Sequence, residues 1–205
     1  MKLRNTAIAL GISAATAAGL SLLKVNKDLV VGSTALVVGA GLMISLKDEN
    51  DVNLKARNYE YFFNSAQDKF ELADYEAAIL DYNKALDLSP TEICLVYSMR
   101  GNAKRNLGDF EGAISDQNKA LDFDPLYADG YFNRGIAKFK KGDFDGAIQD
   151  YSQVIKINPK DSDSFFNRAN VKKEIGDMQG ACEDWRKADA LGDDDATKFL
   201  RKHCE

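Results

Sequence analysis

Apolar and charged positions divide the chain into two parts. Near the N-terminus, residues 5–23 and 29–46 form two runs without a charged residue, separated by the segment KVNKD. Beyond residue 58, aliphatic patterns typical of helices recur at regular intervals and are broken by proline or glycine. We therefore expect an N-terminal segment over residues 1–50, a polar linker over 51–58 and a helical part from residue 59 onwards.

Each uncharged run is long enough to cross a bilayer. The runs contain 19 and 18 residues, and a helix of about 20 residues spans roughly 30 Å. The short loop between them predicts an antiparallel transmembrane hairpin of two helices, with both chain ends on one side of the membrane. Small residues recur every fourth position in the first run and would let the helices approach closely: Ala7, Gly11, Ala15 and Gly19.

Basic residues predict the orientation of this hairpin. Five lie outside the loop (Lys2, Arg4, Lys47, Lys55 and Arg57) and two lie within it (Lys24 and Lys27). The excess favours both ends in the cytoplasm, with the helical part on the cytoplasmic side of the membrane. Two alternatives stay open: a secretory signal cleaved near Ala17 with the second run as anchor, or a segment buried in protein that leaves the chain soluble in the cytoplasm.

The helical part repeats itself. Pro90, Pro125 and Pro159 are 35 and 34 residues apart, a period that indicates stacked supersecondary units. We number each unit so that this proline is position 32. Four units then cover residues 59–93, 94–127, 128–161 and 162–192, and residues 193–205 follow them.

The aligned units share columns of one residue type. Position 4 is aromatic (Phe62, Tyr97, Tyr131, Phe165), position 8 is small (Ala66, Gly101, Gly135, Ala169) and position 20 is alanine (Ala78, Ala113, Ala147, Ala181). Small residues at positions 8 and 20 let the two helices of a unit cross closely. Positions 15 and 16 read Ala-Asp once and Gly-Asp three times, typical of a left-handed helix end followed by an aspartate cap.

These columns resemble the tetratricopeptide repeat, in all four units from Tyr59 to Gly192. The resemblance implies an all-α solenoid of four helical hairpins whose concave groove holds a peptide or a helix of a partner protein. Ala196, Phe199 and Leu200 are spaced as the apolar face of a C-terminal capping helix.

The resemblance also implies which residues line the groove. They come from the first helix of each unit: Asn64, Ser98, Asn102, Arg105, Phe132, Asn133, Phe166, Asn167 and Asn170. Asparagines can bind a peptide backbone, and Phe132 and Phe166 would supply apolar contacts. Co-chaperone members of the family bind a C-terminal carboxylate through three cations. The matching positions here carry Ser98, Asp163 and Asn167, so a chaperone C-terminal tail is not the expected partner.

Two charged columns predict ion pairs. Position 7 is arginine in units two to four, and position 23 is aspartate in every unit. Because the first unit lacks the arginine, we predict that each aspartate pairs with the arginine of the following unit: Asp81 with Arg100, Asp116 with Arg134, and Asp150 with Arg168. These pairs would fix the register between repeats.

Composition excludes several function classes. Residues 51–205 contain 22 basic and 29 acidic residues, which is unsuited to nucleic acid. Cys94, Cys182 and Cys204 have no metal-ligand spacing and are expected to be free thiols. The chain has one histidine and neither a glycine-rich phosphate loop nor a nucleophile motif, so we expect no enzyme, metal or cofactor.

The sequence therefore favours a membrane-tethered scaffold or adaptor for protein binding, by analogy an assembly factor for a membrane complex. The alternatives are a soluble repeat scaffold that self-associates into a homo-oligomer, and an enzyme or regulatory domain without a recognised motif.

Overall fold

A computed structural model describes residues 36–38, 42–44, 46–88 and 93–204, with side chains from residue 54 onwards. It divides the chain into two compact units, Met1–Asn53 and Leu54–Glu205. The predicted first transmembrane helix, residues 5–23, lies outside the described residues.

In the N-terminal unit, β1 (Leu36–Val38) and β2 (Leu42–Ile44) pair antiparallel, with Leu36 opposite Ile44. The predicted helix over 29–46 is therefore wrong at these six residues. The sequence around them is rich in valine and glycine, which are poor helix formers, and β-branched residues favour strands. Among the described helices, none is both long and apolar enough to cross a bilayer.

Nine helices follow in the described part of the chain: α1 (Leu46–Glu71), α2 (Tyr75–Asp87), α3 (Ile93–Asn106), α4 (Phe110–Phe123), α5 (Ala128–Lys141), α6 (Phe144–Ile157), α7 (Ser162–Glu174), α8 (Met178–Ala190) and α9 (Asp194–His203). The stretch 51–58, predicted to be a linker, is helical because it lies within α1. No proline or glycine occurs between Lys47 and Leu72, so nothing in that sequence ends the helix.

The helices of the C-terminal unit form an α-solenoid. α3 packs on α4, α5 on α6 and α7 on α8, and each of these hairpins also packs against its neighbour. α1 and α2 share a core cluster in which Ala66, Ala78 and Tyr82 are fully buried. α9 packs on α8, as expected for a capping helix.

The small-residue columns lie where the helices of a hairpin cross. A Cβ atom added at Gly101 would lie 2.9 Å from Gln117 Nε2 and 3.3 Å from the backbone oxygen of Ala113. One added at Gly135 would lie 3.0 Å from the Tyr151 ring. The helices therefore cross closely at position 8 in units two and three, and the position-20 alanines are buried in all four units.

The turns inside the hairpins follow the predicted pattern. Ala73, Gly108, Gly142 and Gly176 all have positive φ, between 58° and 89°. The aspartate that follows each of them caps the second helix by accepting a hydrogen bond from a backbone N–H three residues on. This capping aligns all four hairpins in the same way.

Candidate functional site

The first helices of the hairpins carry the predicted groove residues. α3 and α5 contact each other directly, so the first helices of units two and three lie side by side. Five asparagines occupy positions 6 and 9 of the first helices, and each is exposed or half-buried: Asn64, Asn102, Asn133, Asn167 and Asn170. This face therefore keeps a row of amide side chains within reach of solvent.

Three predicted groove residues come together between units two and three. Arg105 Nη1 donates a long hydrogen bond of 3.4 Å to Asn133 Oδ1. Gln117, a buried residue of α4, donates through Nε2 to the Ser98 backbone oxygen at 3.0 Å and to Asn102 Oδ1 at 3.5 Å. Asn102 precedes Arg105 by three residues on α3 and so lies on the same helix face.

Other predicted groove residues are less available to a ligand. Ser98 is 1% exposed, so its assignment to the groove surface is wrong. Spacing along α3 alone does not reveal this burial. The Asn167 amide donates back to the Asp163 carbonyl of its own helix at 2.7 Å. Asn170 has a buried side-chain oxygen without a hydrogen-bond partner.

The two predicted apolar anchors belong partly to the core. The Phe132 ring packs edge-on against Tyr151, with centroids 5.7 Å apart. The Phe166 ring packs edge-on against Phe199 of the capping helix at 5.3 Å. Both phenylalanines are half-buried. A ligand would therefore meet only part of each ring.

The predicted ion pairs between units are wrong, because each aspartate pairs within its own unit. Arg100 donates to both carboxylate oxygens of Asp116 at 2.8 and 2.6 Å. The same bidentate geometry joins Arg134 to Asp150 and Arg168 to Asp184. Antiparallel packing brings position 7 of the first helix opposite position 23 of the second, 16 residues later.

A column of lysines that the sequence analysis missed completes each ion cluster. Lys104, Lys138 and Lys172 lie within 2.9 Å of the same aspartates, and Lys69 does so in unit one. All four lysines occupy position 11, one helical turn after position 7. The signal was therefore present in the alignment of the repeats. Two cations hold one buried carboxylate in each unit.

The arginines nevertheless connect neighbouring repeats. The Nη1 atoms of Arg100, Arg134 and Arg168 donate to Asn83, Asn118 and Ser152, all at position 25 of the preceding unit, at 2.6 to 2.8 Å. Each guanidinium also lies over the aromatic ring at position 4 of its own unit. Arginine thus does connect neighbouring repeats, but through a neutral side chain of the preceding unit and not through an aspartate.

Unit one holds its buried aspartate without an arginine. Asp81 accepts hydrogen bonds from Lys69, from Lys84 at 2.9 Å and from Ser65 at 2.7 Å. Burial alone would raise the pKa of Asp81, but the hydrogen bonds from Lys69, Lys84 and Ser65 outweigh it and lower the pKa to about 2. Unit one is the first of the four, so its position 7 has no earlier repeat to reach.

The expectation of three free cysteines is wrong for two of them. A disulfide joins Cys182 on α8 to Cys204 just after α9, with Cα atoms 5.8 Å apart. The His203 ring stacks on Trp185 at 5.9 Å. The end of the chain is therefore fixed to unit four by both a covalent bond and an aromatic contact. Cys94 is free and half-buried.

The described residues contain no group of three or more His, Cys, Asp or Glu side chains arranged to hold a metal ion. The run Asp193–Asp195 forms the start of the capping helix. Asp193 accepts hydrogen bonds from the backbone N–H groups of Asp195 and Ala196, both at 2.9 Å. This acidic run has a structural explanation as a helix cap.

Three family profiles match the chain. A profile described as tetratricopeptide repeat matches residues 59–92, a second with this description matches residues 128–161, and one described as TPR repeat matches residues 101–142. No curated protein sequence matches the chain significantly.

Several solved structures have a similar fold. The crystal structure of MamA is 21% identical, covers 73% of this chain and 86% of its own, and has a TM-score of 0.63. The first TPR of Spaghetti (RPAP3) bound to the HSP90 peptide SRMEEVD is 23% identical, covers 58% and 94%, and has a TM-score of 0.56. The Arabidopsis OM64 TPR domain is 26% identical, covers 55% and 97%, and has a TM-score of 0.51.

The stacked hairpins, their capped turns and their repeated ion clusters define an α-helical repeat solenoid. The tetratricopeptide-repeat profiles match within residues 59–161, which hold units one to three, and the similar structures share the helical-repeat fold.

Proposed function

We propose that this protein is a non-enzymatic scaffold that binds a segment of another protein, as a peptide or a helix, along the first helices of its repeats. The observation that carries the proposal is the row of exposed or half-buried asparagines at positions 6 and 9. An asparagine side chain both donates and accepts hydrogen bonds, so a row of them can bind a peptide backbone with little dependence on its sequence. A TPR domain of similar fold is bound to a peptide in its solved structure.

The polar groups elsewhere in the repeats support this division of roles. The buried aspartates are held by arginine and lysine, and the turn aspartates cap helices. The scaffold itself thus occupies these groups. Among the asparagines of the first helices, Asn64, Asn102 and Asn133 keep solvent-exposed surface that a ligand could reach.

Photo-crosslinking from the full-length chain tests the proposal. A photoreactive amino acid at Asn102 is expected to capture a partner from the native host, whereas the same group at Gln149, exposed on α6, is not. A triple alanine variant of Asn102, Asn133 and Asn170 should bind the captured partner more weakly than wild type, and Gln149→Ala should bind it normally. Equal capture from both positions, or a triple variant that binds normally, would contradict the proposal.

The tether is a second part of the proposal, and it rests on the uncharged runs 5–23 and 29–46. We infer that they attach the scaffold to a membrane from the cytoplasmic side, where a tethered scaffold meets membrane proteins at high local concentration. Carbonate extraction of the full chain and of a version that starts at Asp51 tests this. If the full chain is released together with the shorter one, the tether is wrong and the scaffold proposal is unaffected.

A further inference from the structure

The capping helix α9 is attached to unit four through a small set of contacts. Within the helix only Ala196 is fully buried, while Phe199 and Leu200 are half-buried against the core of unit four. A helix of ten residues is too short to be stable in water by itself. α9 therefore depends on these side-chain contacts and on the disulfide between Cys204 and Cys182.

α9 packs over aromatic side chains of unit four. The Phe199 ring lies edge-on to Phe166 at 5.3 Å and tilted to Trp185 at 5.2 Å, and the His203 ring stacks on Trp185. Trp185 is 0% exposed, and its indole N–H has no hydrogen-bond partner among the described residues. Moving α9 away would let water reach this N–H group, which would offset part of the cost of exposing the ring.

The two cysteines of the disulfide differ in access. Cys182 is 7% exposed and belongs to the core cluster of unit four. Cys204 lies just after α9 and is half-buried. A thiolate from solution can therefore reach the sulfur of Cys204 more easily than that of Cys182, without unfolding of the repeats.

We propose that Cys182 and Cys204 form a thiol–disulfide switch whose reduction releases α9 from unit four and exposes Phe166 and Trp185. The reductant is a dithiol. Its first thiolate attacks the Cys204 sulfur, which breaks the Cys182–Cys204 bond, forms a mixed disulfide with Cys204 and frees Cys182 as a thiolate that takes up a proton. Its second thiolate attacks the reductant's own sulfur in the mixed disulfide, so Cys204 also leaves as a thiolate and takes up a proton. Two electrons pass from the dithiol, which becomes a disulfide, to the two cysteines.

The switch would change the surface that the scaffold offers to a partner. Phe199 covers part of the Phe166 ring, so the release of α9 would make more of this ring available beside the first helix of unit four. The tether proposed above would place the repeats on the cytoplasmic side, where disulfides are usually transient and redox-sensing. The release of α9 itself follows from its contacts and does not depend on that location.

The full-length protein has one tryptophan and three cysteines, so both parts of the switch can be followed directly. Oxidised protein is incubated without denaturant in mixtures of reduced and oxidised dithiothreitol, and its thiols are alkylated and assigned by mass spectrometry. Reduction of Cys182 and Cys204 should shift the fluorescence of Trp185 to longer wavelengths, and reoxidation should restore it. The control Cys94→Ser, which removes the free cysteine, should respond in the same way.

The alkylation rates show whether α9 leaves. If it stays in place after reduction, Cys182 remains buried and should react more slowly than the half-buried Cys94. If it is released, Cys182 should react at least as fast as Cys94, and backbone amides of α9 should exchange at least about tenfold faster than in the oxidised protein. Cys204→Ser should show this released state without reductant, and circular dichroism melts confirm that the repeats remain folded.

Several outcomes would overturn the switch. They are a disulfide that is reduced only in denaturant, a Cys182 that still reacts more slowly than Cys94 after reduction, and unchanged exchange in α9 or unchanged fluorescence of Trp185. In each case the disulfide would be a permanent structural bond or one that does not control α9. The scaffold proposal would be unaffected, because no partner takes part in these measurements.

Discussion

Removing the charge of the buried carboxylate at position 23 should destabilise the protein strongly, and Asp116 is the most buried of these four aspartates. It is 1% exposed and accepts hydrogen bonds from Arg100 at 2.8 and 2.6 Å, while Lys104 Nζ lies 2.8 Å away. Asp116→Asn keeps the shape of the side chain but removes its charge. It also places an NH₂ group where one carboxylate oxygen faced a cation, so two positive side chains lose their common partner.

The structure sets the size of the effect. The new amide oxygen can keep one of the three contacts, so about two charge-assisted contacts are lost, each worth about 1.5–3 kcal/mol. The side chains of Arg100 and Lys104 are 13% and 20% exposed, so they can recover only part of their hydration. We expect the free energy of unfolding to fall by about 3–5 kcal/mol, as for other buried pairs that lose one partner.

Urea titration of the full-length protein, followed by circular dichroism, measures this change. Hydrogen exchange locates it, because the repeats of a solenoid can unfold separately. The matched control is Asp122→Asn, exposed on the same helix, which should change stability by less than about 0.5 kcal/mol. A loss below about 1 kcal/mol for Asp116→Asn, typical of a surface pair, would refute the reasoning.

Five other substitutions have defined outcomes. Asp81→Asn should lower the free energy of unfolding by about 2 kcal/mol at pH 7. Because folding lowers the pKa of Asp81, this difference from wild type should shrink as the pH falls below about 4 and vanish near pH 2 in urea titrations. Cys204→Ser should speed hydrogen exchange in α9 and destabilise this helix by about 3 kcal/mol, because the lost disulfide joins residues 22 apart in sequence. A reductant should have the same effect on wild type and no effect on the variant. Ala73→Gly should stabilise the protein by about 1 kcal/mol, since Ala73 has a φ of 58°, and Gly142→Ala should lose a similar amount in urea titrations. Arg105→Phe should raise the Tm by roughly 2–4 °C in calorimetry, because the new ring would have Phe110 to pack on; an unchanged or lower Tm would contradict this.

The sequence was sufficient where structure depends on short spacings. The proline period predicted the repeats, the small columns predicted close helix crossings, and the Gly-Asp pairs predicted the turns and caps. Each of these features is decided within one hairpin by residues that are close in sequence or directly aligned. The α-solenoid could therefore be predicted from the sequence alone.

The pairing of the charged columns could not be predicted by the same route. Choosing between Asp116–Arg100 and Asp116–Arg134 requires the rotation of each helix about its axis, which column spacing leaves open. The missing arginine of unit one suggested pairing between units. The structure gives another reason for the missing arginine. The Nη1 atom of Arg100 donates to Asn83 of the preceding repeat, and unit one is the first of the four repeats.

Two other misses concern residues whose contacts depend on tertiary packing. The disulfide forms because α9 folds back on α8 and brings Cys204 beside Cys182, which are 22 residues apart in sequence. The strands at Leu36–Val38 and Leu42–Ile44 fall in an uncharged run whose apolar character alone does not distinguish helix from strand.

Position 12 is aromatic in units one and three and basic in units two and four, where it is Arg105 and Lys173. Position 12 is Phe70 in unit one and Phe139 in unit three, and each ring packs on the aromatic residue that begins the second helix, at 5.3 and 5.8 Å. Unit two has Phe110 to receive such a ring but carries Arg105 instead. An aromatic pair contributes about 0.5–1.5 kcal/mol beyond its buried area, so this arginine replaces a stabilising contact with an unpaired charge. Local departures from a structural pattern are expected at functional sites, and this one lies on the helix face that carries Asn102, where Arg105 reaches Asn133 of the next unit.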